Sequence, residues 1–207
     1  MLYGTDIRCK VTAGYMTNFY DSNAQLFFDS TINVVMDELY AQFTPLIAAG
    51  SHILDLGCGS GRDSKYFIQN GYNVTALEPS KELAVLASEH IDQTVMVKAA
   101  QQIGEINTYD GIWACASLLH VPVSELTDVF QRLASSLKPD GVIYCSFKQG
   151  RGVLERNGRT FTDMNQEQFD ILLQQVATLQ VISIWESSDL REGRENEKWF
   201  NALLKKV

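Results

Sequence analysis

SHILDLGCGSGRDS, residues 51–64, is the stretch from which the rest of the chain is read. Ile53, Leu54 and Leu56, broken only by Asp55, form an apolar run suited to a buried strand. Glycine then recurs at Gly57, Gly59 and Gly61, and a helical stretch begins at Arg62. Glycine is needed where the backbone takes positive φ or lies against a ligand that a Cβ would displace. A helix opening from such a turn aims unpaired N–H groups and the positive end of its dipole into it. The spacing is G-x-G-x-G, and Arg62 stands where the G-x-G-x-x-G turn of nicotinamide and flavin folds has its third glycine. A second carboxylate sharpens the reading. VTALEPS at 74–80 is another apolar strand, and it ends in Glu78, 17 residues beyond Gly61. An acid at that strand tip can grip both hydroxyls of an adenosine ribose.

LDLGCGSG with the strand-end acid resembles the class I methyltransferases that use S-adenosyl-L-methionine. The resemblance continues at YDGIWACASLLHVP (109–122), LKPDG (137–141), SFKQG (146–150), GRTFTD (158–163) and DLREGRENEKWFN (189–201). Together these look like the tellurite-resistance-type branch and run from Asn18 to the C-terminus. The resemblance implies a Rossmann-like α/β fold: a mostly parallel seven-stranded sheet with a reversed last strand and helices on both faces.

Composition agrees with one domain and a full core, since 45% of the 207 residues are hydrophobic. The formal charge of −8, without a basic run, disfavours nucleic acid and anionic membrane as partners. No apolar stretch approaches the roughly 18 residues that span a bilayer, and the first twenty lack a signal-peptide core. Cys9, Cys58, Cys115 and Cys145 are scattered without C-x-x-C spacing. Free thiols in a reducing cytoplasm are the expectation, with no metal site.

MLYGTDIRCKVTAGY (1–15) has no clear period and matches nothing in the resemblance. The chain divides into an N-terminal extension, 1–17, and a single methyltransferase domain, 18–207. FYDSNAQLFFDSTINVVMDELYAQF reads as a helix with Leu26, Phe27, Ile32, Val35, Met36, Leu39 and Tyr40 on one face. Further helices are expected at 62–69, closed by Asn70-Gly71, after Pro79-Ser80, at 123–137 and at 164–176. Strands are expected at 73–77, 94–100, 109–115 and 142–147. TLQVISIW and KWFNALLKKV form a closing hairpin, and a polar, glycine-bearing loop precedes helix 164–176. Alternating strands and helices mean right-handed crossovers in a parallel sheet. The final strand must run the other way, because about ten residues join it to its predecessor. Ligands then bind beyond the carboxyl ends of the strands, at the loops after residues 56, 77, 99, 115, 147 and 187.

The site residues follow from those loops and from the resemblance. The cofactor-binding set is Tyr20, Asp55, Gly57, Cys58, Gly59, Gly61, Arg62, Glu78, Ala100, Gln101 and Cys115. Tyr20 is either the aromatic that touches the methionine end or an ordinary packing residue. Asp55 shapes the turn, or reaches the amino group through water. Arg62 pairs with the methionine carboxylate, or is a surface charge placed against the helix dipole. Many family members carry an acid at the end of the third strand to read adenine; Ala99 stands there, leaving the Ala100 backbone and the Gln101 amide. Trp113 reads as core.

The loop ACASLLHVP is not of the N/D-P-P-Y type, which disfavours methylation of planar amino groups. His120 is the candidate base, against a structural histidine. Arg62, Lys148, Arg159, Arg191 and Arg194 cluster on the ligand side, which suits a small anionic acceptor, with metalloid oxyanions included by the resemblance. Arg191 and Arg194 either clamp that acceptor or pair with Glu192, Glu195 and Glu197. Two function classes remain: a methyltransferase acting on a small molecule, and a non-catalytic cofactor-binding sensor or partner subunit. Oligomeric state is left open.

Calorimetric titration should give a clear response to S-adenosylhomocysteine and none comparable to NAD. Glu78→Ala should weaken that binding by about 1.5–3 kcal/mol, the range for hydrogen bonds to a charged group; tight NAD binding would refute the assignment.

Overall fold

The computed structural model describes residues 18–156, 158–191 and 193–207, so the proposed extension, Cys9 and Glu192 lie outside the described residues. The strands are β1 (His52–Leu56), β2 (Asn73–Leu77), β3 (Tyr109–Ala114), β4 (Leu137–Lys148), β5 (Gly152–Arg156), β6 (Arg159–Asp163), β7 (Leu179–Ser188) and β8 (Lys198–Lys206). The helices are α1 (Ala24–Thr31), α2 (Asp37–Phe43), α3 (Arg62–Gln69), α4 (Lys81–Ile91), α5 (Val123–Ser136) and α6 (Gln166–Gln174).

One sheet runs in the order β2-β1-β3-β4-β8-β7. Its first four strands are parallel, and β8 is antiparallel to both β4 and β7. Side chains alternate across it, as a pleated strand requires. Leu54, Ile112, Ile143 and Leu204 face α5 and α6 in one apolar layer. Ile53, Trp113, Tyr144 and Leu203 face α2, α3 and α4 in the other. The first layer holds α5 by Leu126, Val129, Phe130 and Leu133, the apolar stripe of an amphipathic helix. Ser80 caps α4 by accepting from Leu83 N at 3.3 Å, and Asn165 caps α6 by accepting from Gln168 N at 3.0 Å.

Among the described residues the sheet has six strands where seven were expected, a difference that leaves the fold class intact. Three further expectations need correction. The segment 94–100 contributes only a bridge, in which Met96 pairs with Leu77 and its backbone bonds Ala76 O and Glu78 N at 3.0 and 3.1 Å. Met96 and Val97 are exposed at that edge, so little apolar burial extends the pairing. The single leading helix is instead helical at 18–22, then α1, then α2, with a break at 32–36. Leu26 and Val35 point into solvent at 70% and 67% exposure, so one continuous stripe does not exist. Finally, the glycine-bearing loop before α6 contains the antiparallel hairpin β5–β6. Its Asn157-Gly158 dipeptide is a strong two-residue hairpin signal in the sequence; α6 itself starts at Gln166 rather than 164.

Beneath the glycine turn lies a buried polar knot. Asp63 accepts from Tyr40 Oη at 2.6 Å, Trp113 Nε1 at 2.8 Å, and Arg62 Nε and Nη2 at 2.7 and 2.9 Å. Burial alone would raise its pKa, but Arg62 and these donors outweigh that and hold it below the usual carboxylate range. The stabilisation is therefore fully present above the ordinary carboxylate pKa and is lost as pH falls through the depressed value. At pH 7, Asp63→Ala leaves a buried cation and two donors unpaired and should cost about 3–5 kcal/mol in urea unfolding. A loss under about 1 kcal/mol would mean that the knot is not structural.

Candidate functional site

Gly57, Gly59 and Gly61 all take positive φ, at 69°, 57° and 78°. Space is as restrictive as angle. A Cβ on Gly57 would fall 2.6 Å from Ser117 Cβ, and one on Gly61 would fall 2.9 Å from Ile91. The turn is thus pressed between the β3 loop and α4, and only glycine fits.

A cavity of about 470 Å³ opens beside this turn. It is bordered by the loops after β1, β3, β4 and β7, four of the six strand ends expected to carry chemistry. It brings together Tyr20, Gly57, Cys58, Gly59, Arg62 and Cys115 from the predicted cofactor set, with His120, Arg191 and Arg194 from the predicted acceptor set. Asp55, Gly61, Glu78, Ala100 and Gln101 do not border it.

Gly61 belongs to the turn itself, and the other four lie away from the cavity. Asp55 is buried and accepts from Ser64 Oγ at 2.6 Å; burial, with Asp63 nearby, raises its pKa to about 8. Glu78 accepts from Gly59 N at 3.0 Å and Ser80 N at 2.9 Å, which joins the β2 end to the glycine turn. Each of its oxygens keeps a further acceptor position. Burial outweighs the two amide donors and raises its pKa to about 7. Gln101 donates to Glu125 Oε2 at 2.8 Å, and Ala100 opens a short 3₁₀ turn. The N-terminal segment covers this side: Asp21 accepts from Ser80 Oγ at 2.6 Å, and Phe27 lies against Gly59, 3.2 Å from the place of a Cβ.

On the cavity wall, Tyr20 Oη sits 3.0 Å from His120 Nε2, and Arg159 Nη1 donates to Tyr20 Oη at 3.2 Å. Burial raises the Tyr20 pKa. Burial lowers that of half-buried His120 to about 4, helped by the Arg159 charge, while the Thr160 backbone opposes the shift. His120 Nδ1 has no hydrogen-bond partner within normal geometry. The ring is neutral at neutral pH. Burial also raises the thiol of Cys58, and that of Cys115 to about 12, so neither is a nucleophile at neutral pH. Trp113, read as core, is fully buried.

The predicted cations are mostly occupied. Arg62 spends Nε and Nη2 on Asp63, leaving Nη1 with a 3.5 Å contact to Thr31 O. Arg191 takes Asp189, with Nε at 2.9 Å, rather than Glu195 or Glu197; Arg194 faces Glu197 at 3.6 Å. Lys148 lies between Asp189 and Glu197 with its ammonium over the Trp199 ring. Sequence reasoning missed Asp63 and Asp189 as the acids that hold these cations. Asp63 carried one signal, an acid in the first turn of a helix; Asp189 carried none.

If the two oxygens of Glu78 take ribose hydroxyls, they do so best when ionised, and ligand affinity then gains as pH rises through about 7. S-adenosylhomocysteine should bind more tightly at pH 8 than at pH 6, and Glu78→Gln should flatten that dependence. An equal slope in wild type and variant would assign the titration elsewhere.

Residues 53–141 match the model of a methyltransferase domain. The chain is 34% identical over 108 residues to a ubiquinone biosynthesis O-methyltransferase of Xanthomonas axonopodis pv. citri, covering 47% of this chain and 43% of that protein. The chain spans about half the length of the curated relatives it matches. Its fold is similar to the 1,6-didemethyltoxoflavin-N1-methyltransferase of Burkholderia thailandensis, whose structure holds S-adenosylhomocysteine. There the TM-score is 0.76 at 18% identity, over 100% of this chain and 92% of that one. It is also similar to the [4+2]-cyclase SpnF, with a TM-score of 0.75 at 14% identity over 94% and 96%. The chain has the Rossmann-like α/β fold of the class I methyltransferases, and these likenesses support S-adenosyl-L-methionine as its cofactor.

Proposed function

We propose that the protein is an S-adenosyl-L-methionine-dependent methyltransferase acting on a small, anionic acceptor. The observation that carries this reading is the single cavity bordered at once by the glycine turn, by His120 and by the cation-bearing loops after β4 and β7. The glycine cradle and the spare acceptor positions of Glu78 fit the cofactor. When bound, the cofactor supplies an electrophilic methyl group on a positively charged sulfur. The chain then has to position the acceptor and exclude water. Thr31, Val34, Met36 and Leu39 border the cavity from the N-terminal segments, which supply this cover. Where the acceptor carries a proton, neutral His120 takes it at Nε2 by way of the Tyr20 hydroxyl.

The tellurite-resistance-type branch, and with it a metalloid oxyanion as acceptor, rests on the sequence motifs. The size of the cavity equally suits an organic acid. The likeness to a cyclase on the same fold keeps the non-transferring alternative in play, because fold alone does not fix chemistry.

An acceptor panel of carboxylic acids, thiols and metalloid oxyanions, read by S-adenosylhomocysteine release, separates the two. Turnover with any member supports transfer, and binding without release across the panel supports a sensor. With a working acceptor, His120→Ala should slow turnover by about 10² to 10⁴ at saturating cofactor with the melting temperature almost unchanged. A variant that is unstable but fully active per folded molecule would make His120 structural.

A further inference from the structure

Arg159 is the one described arginine bordering the cavity that has no acid partner. Arg62 and Arg191 turn their Nε and Nη2 edges to Asp63 and Asp189. Arg194 faces Glu197, and Arg156 holds Asp163, with Nη1 to Oδ1 at 2.7 Å. Arg156 and Arg159 are cross-strand neighbours in the β5–β6 hairpin, so Arg156 has already taken the nearest carboxylate.

Arg159 is instead enclosed by aromatic rings. Its guanidinium carbon lies 4.9 Å from the Phe19 ring centre, 5.1 Å from Phe161 and 5.8 Å from Tyr20. Nη1 goes to Tyr20 Oη, while Nε is buried with no partner. Ring faces offset a cation only in part. A buried donor on a charged group left unpaired is costly, because its lost hydration is not replaced. The hairpin cannot simply swing away to solvate it, because Thr162 Oγ1, buried, donates to Val121 O at 2.9 Å and ties β6 to the His120 loop.

The unused edge is the same Nε–Nη2 fork that this protein turns to carboxylates at Arg62 and Arg191. Such a fork matches two oxygens of one anion. We propose that Arg159 anchors the acceptor by binding a two-oxygen anionic edge, whether a carboxylate or an inorganic oxyanion, between the aromatic rings. Arg159 itself lies two hydrogen bonds from His120, through Tyr20, so the anchored group is held on the same wall as the candidate base. The inference rests on the methyltransferase reading and makes Arg159, rather than Arg191 or Arg194, the residue that selects for negative charge.

The test uses wild type and Arg159→Gln, each saturated with S-adenosylhomocysteine and titrated calorimetrically with benzoate, with selenite and with neutral benzamide. Wild type should bind benzoate or selenite, and Arg159→Gln should weaken that binding at least about tenfold, as loss of a charge-assisted pair predicts. Benzamide should not distinguish the two proteins, and S-adenosylhomocysteine affinity should agree within about twofold. Arg159→Lys, which keeps the charge but loses the fork, should fall between them. A response to benzoate alone identifies an organic carboxylate, and to selenite alone an inorganic oxyanion. If wild type binds S-adenosylhomocysteine but neither anion, or if Arg159→Gln binds them equally well, the inference is wrong while the methyltransferase reading stands. Loss of S-adenosylhomocysteine binding in Arg159→Gln would also overturn it, by placing the residue on the cofactor. Failure of wild type to bind S-adenosylhomocysteine would instead defeat the underlying reading.

Discussion

The buried carboxylate of Asp63 is the constraint on which the remaining architecture depends. It sits at the first turn of α3 and receives donors from α2 through Tyr40, from the central strand β3 through Trp113, and from Arg62 beside it. A charge this deep is tolerable only when its neighbours saturate it. Four donor contacts satisfy that condition and fix the relative placement of three elements. The glycine turn is consequently held from below, and its upper surface is free to form the cavity wall. The aromatic packing around Trp113, including Phe43, Phe67 and Tyr144, excludes water from the knot and strengthens each of its hydrogen bonds.

Sheet topology then determines which loops meet. Parallel strands β1, β3 and β4 deliver their carboxyl ends to one edge, and β7, reached through the reversed β8, delivers its own to the same edge. The cavity is where these four ends converge. The loop after β2 stays behind the glycine turn, with Glu78 bonded to Gly59 and Ser80. One wall of the cavity is therefore backbone and small side chains, and the opposite wall is a set of cations with their acids.

Charge balance in that set is uneven, and the unevenness carries information. Lys148, Asp189, Arg191, Glu197 and Arg194 form a nearly closed network after β4 and around β7–β8, and Asp189 is held well below its usual pKa despite burial. The β5–β6 hairpin contributes two arginines and one effective carboxylate, Asp163. The surplus charge is at Arg159, directed toward the ring of His120 by way of Tyr20.

The sequence alone determined the order of strands and helices, the glycine turn, the acid at the tip of β2 and the reversal of the last strand. These are local or short-range matters: apolar periodicity, positive-φ requirements and the length of connection that a parallel crossover needs. The Asn157-Gly158 dipeptide was a legible hairpin signal, yet the polar residues around it masked the hairpin that bears Arg159. Only the tertiary structure decided which carboxylate each arginine holds. Asp63, Asp189 and Asp163 stand only one, two and seven residues from the arginines they hold. The donors that fix two of these acids in place come from far along the chain, Tyr40 and Trp113 at Asp63 and Lys148 at Asp189, and charge spacing does not encode that. It also decided that the leading helix breaks at 32–36 and that Leu26 and Val35 face water, because burial there depends on where the glycine turn and α4 present a surface. Glu78 shows both halves at once: its identity and strand position were written in the chain, while its place outside the cavity came from Phe27 and Asp21 folding over the turn.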